Sequence, residues 1–370
     1  MLTNFSGLTS EQKIVWSRDT WKAARDKMFI KKFIGKGEGS MIQRITDLTK
    51  TEKGEKCLMF LVADLVEDGV VGDNEREGME EAMQSYEQAI TIDLISHGVK
   101  NKGKMSEQKT VITFREHGKD KLSYWLANRC DQLAFLTMSG ISYAYHNNGK
   151  ARASSAFSTL AFADDVVAPS GNRHLNWNGT SLEAGNTASI TASYLPTYQM
   201  IVDLVAYAKD HYMKPLMSGG KEYYVLLVKP GTLAHLKKDA DYQRAITTGL
   251  ARSEKNPWFT GATVTIDGVV IHEHNLTYST TGMAAGTMWG AAGAFDGTRS
   301  LLCGAQAMGM SDLGNPEWDE KTFQYSSQHG INIDKMFGFL KPQFYSIYDE
   351  DVEDFGVIAV DHFLPNGRHA

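Results

Sequence analysis

Apolar residues Ile14, Val15, Trp16, Trp21, Met28, Phe29 and Ile30 punctuate an otherwise charged stretch from residue 11 to 34. That pattern predicts an arm, helical or extended and amphipathic at best, which needs another surface to cover its tryptophans. Lys56 to Leu65 is an apolar, strand-like run, and Ala89 to Val99 alternates, predicting Ile90, Ile92 and Leu94 on one face. Between them, Val66 to Gln88 holds Gly69, Gly72, Gly78 and many acids, too long a connection for a tight hairpin turn. The two runs therefore predict an extended ribbon, which is marginal alone in water and must lie on something else.

Leu122, Trp125, Leu126, Leu133 and Leu136 recur at helical spacing and predict a long spine helix between Gly118 and Gly140. Residues 145 to 193 are rich in Asn, Gly, Ser and Ala and read as a long loop or flap. A second helix is expected from Pro196, as its first residue, to about Met213. Tyr223 to Val228 reads as a buried strand ended by Pro230, and Leu233 to about Leu250 as helical. Thr263 to His272 reads as strand with a turn at Asp267-Gly268, and the final third as short strands and glycine-rich loops. The fold class is α+β with one long helix, not the regular alternation of a dinucleotide-binding fold.

Composition narrows the function. The chain has 370 residues, 42% hydrophobic and 22% charged, which is ordinary globular usage and excludes disordered or fibrous classes. A net charge of −6 disfavours a protein built to grip nucleic acid. No apolar run approaches the ~18 residues of a membrane helix. No secretory signal is expected at the N-terminus. Cys57, Cys130 and Cys303 have neither metal-ligand nor disulfide spacing, so a reducing cytoplasm is expected. Charge is uneven: residues 1 to 50 carry ten basic and five acidic side chains, residues 301 to 370 four and eleven. A basic front and an acidic end suit contact between copies, or a meeting of the two ends inside one subunit.

Candidate chemistry is sparse. Gly35-Lys-Gly-Glu-Gly-Ser40 follows no strand and lacks the ending of a phosphate loop. His272 and His274 share a strand face, but a structural metal site needs about four ligands, so polar residues at an interface is the better reading and no metal or cofactor is expected. Asp354-Phe-Gly356 lacks the rest of a kinase, and the acids from Asp349 to Asp354 lack the spacing of a calcium loop. No cluster of catalytic residues converges, so the chain does not read as an enzyme.

Several stretches, taken in order, carry a resemblance. They include Phe60-Leu-Val-Ala-Asp-Leu65, Gly69-Val-Val-Gly-Asp73, Glu77-Gly-Met-Glu-Glu81 and Ile90-Thr-Ile-Asp93. The spine segment Leu122 to Gly140, Tyr224-Val-Leu-Leu-Val228 with Pro230, and Leu236-Lys-Lys-Asp239 follow. Asn256-Pro-Trp-Phe-Thr-Gly261 and Asp267-Gly-Val-Val-Ile-His-Glu-His274 are the most specific, ahead of Leu301-Leu-Cys-Gly-Ala-Gln-Ala307, Lys341-Pro342 and Asp354-Phe-Gly356. From about Val15 to Asp361 the chain resembles the major capsid proteins of tailed, double-stranded-DNA bacteriophages, of the N-four-like group.

The resemblance implies the Hong Kong ninety-seven type of capsid fold. It implies an N-terminal arm (1–45), an extended two-stranded loop (46–104), a peripheral domain with the spine helix (105–195 and 318–370) and an axial domain (196–317). It implies hexamers and pentamers in an icosahedral virion shell assembled in the host bacterial cytoplasm. Portal, and scaffold or cement proteins, are implied partners, as is double-stranded DNA held without sequence preference; no membrane is involved. Candidate contacts between subunits are Trp16, Trp21, Phe29 and Ile30 of the arm and Glu75, Glu77, Glu80 and Glu81 of the acidic tip, with the subunit's own outer wall as the arm's other possible seat. A nanocompartment shell of the same fold, which would copurify with cargo protein instead of viral DNA, is the alternative. A metal-dependent enzyme using His272, Glu273 and His274 is the alternative from another class.

Overall fold

The computed structural model describes residues 10–46, 54–62, 70–72, 77, 85–105, 114–154, 156–249, 264–266, 268–325, 327–346 and 349–365. Helix α1 (Ser10–Lys27) is followed by a short turn of 3-10 helix at Ile30–Phe33. Helix α2 (Phe114–Ser139) is the expected spine, 26 residues or about 39 Å long. Leu122, Leu126, Cys130 and Leu133 repeat every three or four residues and are buried, and beyond Cys130 nearly every residue of α2 is buried. Gly140 ends it in the left-handed region (φ 65°), where a Cβ would lie 2.6 Å from the Val167 carbonyl oxygen.

Two large sheets flank the spine. The first joins Ile34–Gly35, Ile42–Ile45, Met308–Asp312, Gln328–Leu340 and Glu317–Phe323, with Asp93–Lys100 also paired to Gln328–Leu340. The second runs in the order Val264–Ile266, Val269–Glu273, Lys221–Val228, Gly297–Cys303, Val357–Phe363, His174–Trp177, Leu182–Ala184. Within its central strands the stretches 224–228, 301–303 and 357–360 are apolar at every position because they face two cores. Val225, Leu227, Leu301, Cys303, Val357 and Ala359 turn toward the spine. Tyr224, Leu226, Val228, Leu302, Ile358 and Val360 turn toward α3 (Tyr198–Asp210) and α4 (Pro230–Leu236). Alternation of side chains across a strand sends neighbours to opposite faces, so burial on both faces demands an unbroken apolar run.

Four expectations are corrected. The run from Ala89 to Val99 is two strands, Ser85–Thr91 and Asp93–Lys100, broken at Ile92. Ile90 is fully buried and Leu94 exposed, so they do not share one covered face. Residues 145 to 193 are not merely a flap: Leu175, Asn176 and Trp177 form a buried strand parallel to Val357–Phe363, and Trp177 Nε1 donates to the Leu195 carbonyl (2.9 Å). The helix expected from Leu233 to Leu250 is two, α4 and α5 (Ala240–Gly249). Asp239 divides them: its Oδ1 accepts from Asp241 N–H and its Oδ2 from Tyr198 N–H. Pro196 precedes α3 rather than opening it; Thr197 is the cap position, and the Pro196 carbonyl oxygen lies 3.0 Å from His235 Nδ1.

Candidate assembly surface

The arm is seated on its own subunit. Helix α1 packs on α2 and on the Glu317–Phe323 strand. Trp21 is 2% exposed, with the Lys335 ammonium 4.3 Å from its ring centre. Ile30 is 1% exposed. The Asp131 carboxylate accepts from Phe29 N–H (2.9 Å) and Ile30 N–H (3.2 Å), pinning the turn after the helix to the spine. Trp16 is half-buried against Trp318, ring centres 5.8 Å apart. Trp21 and Ile30 are thus corrected as contacts between subunits: the spine already covers them. Among the described residues of the arm, the large apolar side chains left exposed are Ile14 (51%) and Val15 (55%).

The oppositely charged ends meet within the chain. Arg44 pairs with Asp312 at 2.6 Å and Lys13 with Asp319 at 3.9 Å. Of the acidic tip residues, Glu77 is exposed, while Glu75, Glu80 and Glu81 lie outside the described residues, as does the Asn256–Gly261 motif.

The ribbon has two unlike faces. Lys56–Val62 pairs with Ser85–Thr91, Met59 opposite Gln88. Cys57, Met59 and Ile90 turn inward and pack with Ile45 and Leu340. Leu58 (42% exposed) and Phe60 (51%) alternate with them and face out. An outward apolar pair on a two-stranded ribbon is the feature that calls for a second molecule.

A buried joint ties the second sheet to the spine. Arg299 Nε and Nη2 donate to both oxygens of Asp361 at 2.7 Å, and its Nη1 donates to the Ser139 carbonyl at the end of α2 (2.8 Å). His174 Nε2 lies 2.7 Å from the same carboxylate. Burial raises the Asp361 pKa, but the Arg299 guanidinium and His174 outweigh it and hold the carboxyl below its ordinary value. Sequence spacing does not show this joint, since two of its members, His174 and Asp361, are 187 residues apart.

His272 and His274 do point the same way, into aromatic rings. His274 stacks on Phe29 (4.2 Å) and Phe135 (5.1 Å), and His272 meets the Phe33 edge at 5.1 Å. Among the described residues no group of three or more His, Cys, Asp or Glu side chains is placed to hold a metal. Burial, then Lys32 and Lys229, pushes His274 down to about 4. Burial likewise takes His362 to about 4, while it raises Asp131 to about 6.

The signs oppose one another. Between pH 6.5 and 4 the unfolded chain protonates these histidines and the folded chain does not, so stability is lost as pH falls. Asp131 works the other way, its folded form taking up a proton as pH falls through 6. Two strongly depressed histidines outnumber one raised carboxyl. The melting temperature of the subunit is expected to fall from pH 7 to pH 5, and His274→Phe to flatten that slope. An unchanged slope in the variant would show that His274 is not one of the acid-sensitive groups.

The comparisons decide what this surface belongs to. A family model described as phage capsid protein matches residues 4–366. The major capsid protein of Pseudomonas phage KPP25 is 48% identical over 363 residues, 97% of this chain and 96% of that protein. The chain belongs to the phage capsid protein family. Its fold is the Hong Kong ninety-seven type. The capsid of Ralstonia phage GP4 matches with a TM-score of 0.77 at 23% identity, over 99% of this chain and 96% of the other. The acidic stable capsid of Helicobacter pylori bacteriophage KHP30 matches with a TM-score of 0.64 at 12% identity, over 98% and 94%.

This capsid protein is a structural subunit of a virion shell built from many copies. Arm, ribbon and spine are the expected parts. Missed in the sequence were Gly309 and Gly338, on which the ribbon rests, and Gln88, by which the ribbon holds Gln343. The available signal was a lone glycine inside the apolar strand Phe337-Gly-Phe339, a mark of close backbone approach.

Proposed function

We propose that this capsid protein assembles into pentamers and hexamers of an icosahedral shell that encloses the phage DNA genome. The observation that carries this is the ribbon with its inner face seated and its outer Leu58 and Phe60 uncovered. Residues 1–45 act as arm, 46–104 as extended loop, 105–195 with 318–370 as peripheral domain and 196–317 as axial domain. Ile14 and Val15 add apolar area for a neighbouring subunit. Heterologous contacts of this kind close into rings when the rotation between copies allows it. Each contact is modest, and their multiplicity makes the shell strong. The net charge of −6 suits a container whose contacts with DNA are weak and independent of sequence.

Portal, and scaffold or cement proteins, are the partners this role calls for, and the host bacterial cytoplasm is the place of assembly. The role is structural and involves no catalysis. Negative-stain microscopy of the chain expressed alone tests it. Closed shells with five-fold and six-fold capsomers are expected; a chain that stays monomeric as its concentration is raised would sink the proposal.

A further inference from the structure

The two ribbon strands pair with each other and, among the described residues, with no other strand. No sheet neighbour therefore sets the angle at which the ribbon leaves the body. Side chains and two glycines do so instead.

The floor is one face of an antiparallel pair. Gly309 lies opposite Leu340, and Ser311 opposite Gly338, so all four share that face. A Cβ at Gly309 would sit 2.8 Å from Ile90 Cδ1 and 3.0 Å from Met59 Sδ. A Cβ at Gly338 would sit 2.1 Å from the Thr91 carbonyl oxygen. Cys57 Sγ and Ser311 Oγ are 2.9 Å apart. Two of the four floor residues are glycines, so the ribbon backbone comes down onto the strands below at those points.

The clamp is a side-chain amide acting as a third strand. Gln88 Oε1 accepts from Gln343 N–H at 3.0 Å, and Gln88 Nε2 donates to the Gln343 carbonyl. Gln343 Nε2 donates to Asp354 Oδ1 (2.7 Å), and the buried Lys341 ammonium donates to Asp354 Oδ2 (2.6 Å). The clamp is therefore anchored to a buried ion pair. At the ribbon's base Thr91 N–H donates to Asp165 (3.1 Å), beside the break at Ile92.

We infer that this seat and the Gln88–Gln343 clamp fix the ribbon's angle, and through it the curvature and uniform size of the shell. The inference rests on the assembly role of the ribbon proposed above. Seven paired residues span about 23 Å, so a tilt of about 10° moves the outer end by about 4 Å. Packed apolar contacts lose a quarter to a half of their attraction over a gap of about 0.5–1 Å. A freed ribbon would therefore meet its neighbour at several angles, each closing a different shell. Gln88 is a positioning residue: it acts through the ribbon.

The test uses the full chain. Gln88→Met keeps the length and removes both hydrogen bonds; Gln88→Glu keeps the acceptor and loses the donor; Gly338→Ala lifts the ribbon from below. Wild type and variants are assembled side by side, with shell diameters measured by electron microscopy and subunit melting measured separately. Gln88→Met is expected to give a folded subunit whose shells are of mixed diameter or remain open, Gln88→Glu an intermediate spread, and Gly338→Ala the same broadening. Shells of a single wild-type diameter from Gln88→Met would overturn the inference, and so would a lowered melting temperature with uniform shells, which is what a purely structural glutamine would give. Failure of the wild type to assemble would strike the assembly role itself, and this inference with it.

Discussion

Arg299→Met is expected to destabilise the subunit by about 3–5 kcal/mol, the cost of breaking a buried ion pair from one side. Asp361 is fully buried and would keep only His174 as a partner, and the Ser139 carbonyl would lose its Arg299 donor. In the wild type Arg299 holds the Asp361 carboxyl below its ordinary pKa despite burial. In the variant burial acts without that opposition and raises it, so a proton relieves part of the cost. The gap between variant and wild type should narrow as pH falls from 7 to 5. Arg299→Met with Asp361→Leu should recover most of the loss, since an apolar pair leaves no buried charge. Denaturant unfolding of unassembled subunits measures all three. A single variant that costs less than about 1 kcal/mol, or a double variant as unstable as the single, would show that the joint is not what holds the second sheet to the spine.

Replacing Leu58 and Phe60 together with threonine should leave the subunit as stable as before and prevent it from forming shells. Both side chains are largely exposed in the subunit, and substitutions at such positions usually stay within about 0.5 kcal/mol. Threonine also keeps the strand preference of the ribbon. If a neighbouring subunit covers the pair, each lost side chain costs the contact about 1.5–3 kcal/mol. Two of them raise the concentration needed for assembly by on the order of 100-fold or more, since about 1.4 kcal/mol is tenfold. Sedimentation and electron microscopy across a concentration series read the threshold, and thermal melting serves as the control. Shells at the wild-type threshold would mean that the outer ribbon face stays in solvent, and the arm's Ile14 and Val15 would be left to carry the contact.

Patterns of near neighbours were legible because they reflect local periodicity. Leu122, Leu126 and Leu133 repeat with the helix, and the spine lies where that repeat places it. Tyr224 to Val228 is apolar throughout because the strand is buried on both faces, and the run alone announces a buried strand. The ordered resemblance from Val15 to Asp361 supplied the family and its fold. Other features depend on residues far apart. Trp177 sits in a stretch of Asn, Gly and Ser, and its burial comes from Val357–Phe363 alongside its strand, nearly two hundred residues away. The arm's tryptophans read as needing cover, and only the packed structure shows the spine providing it for Trp21. Arg299, Asp361, His174 and Ser139 have no common spacing, because a buried charge is satisfied by whatever the fold brings near it. The sequence by itself determined the spine helix and the buried strand at residues 224–228, since their patterns are set by residues a few positions apart. Tertiary structure alone decided which apolar faces are used up inside the subunit and which are left for a neighbour, because burial is a property of the assembled surface and not of the chain.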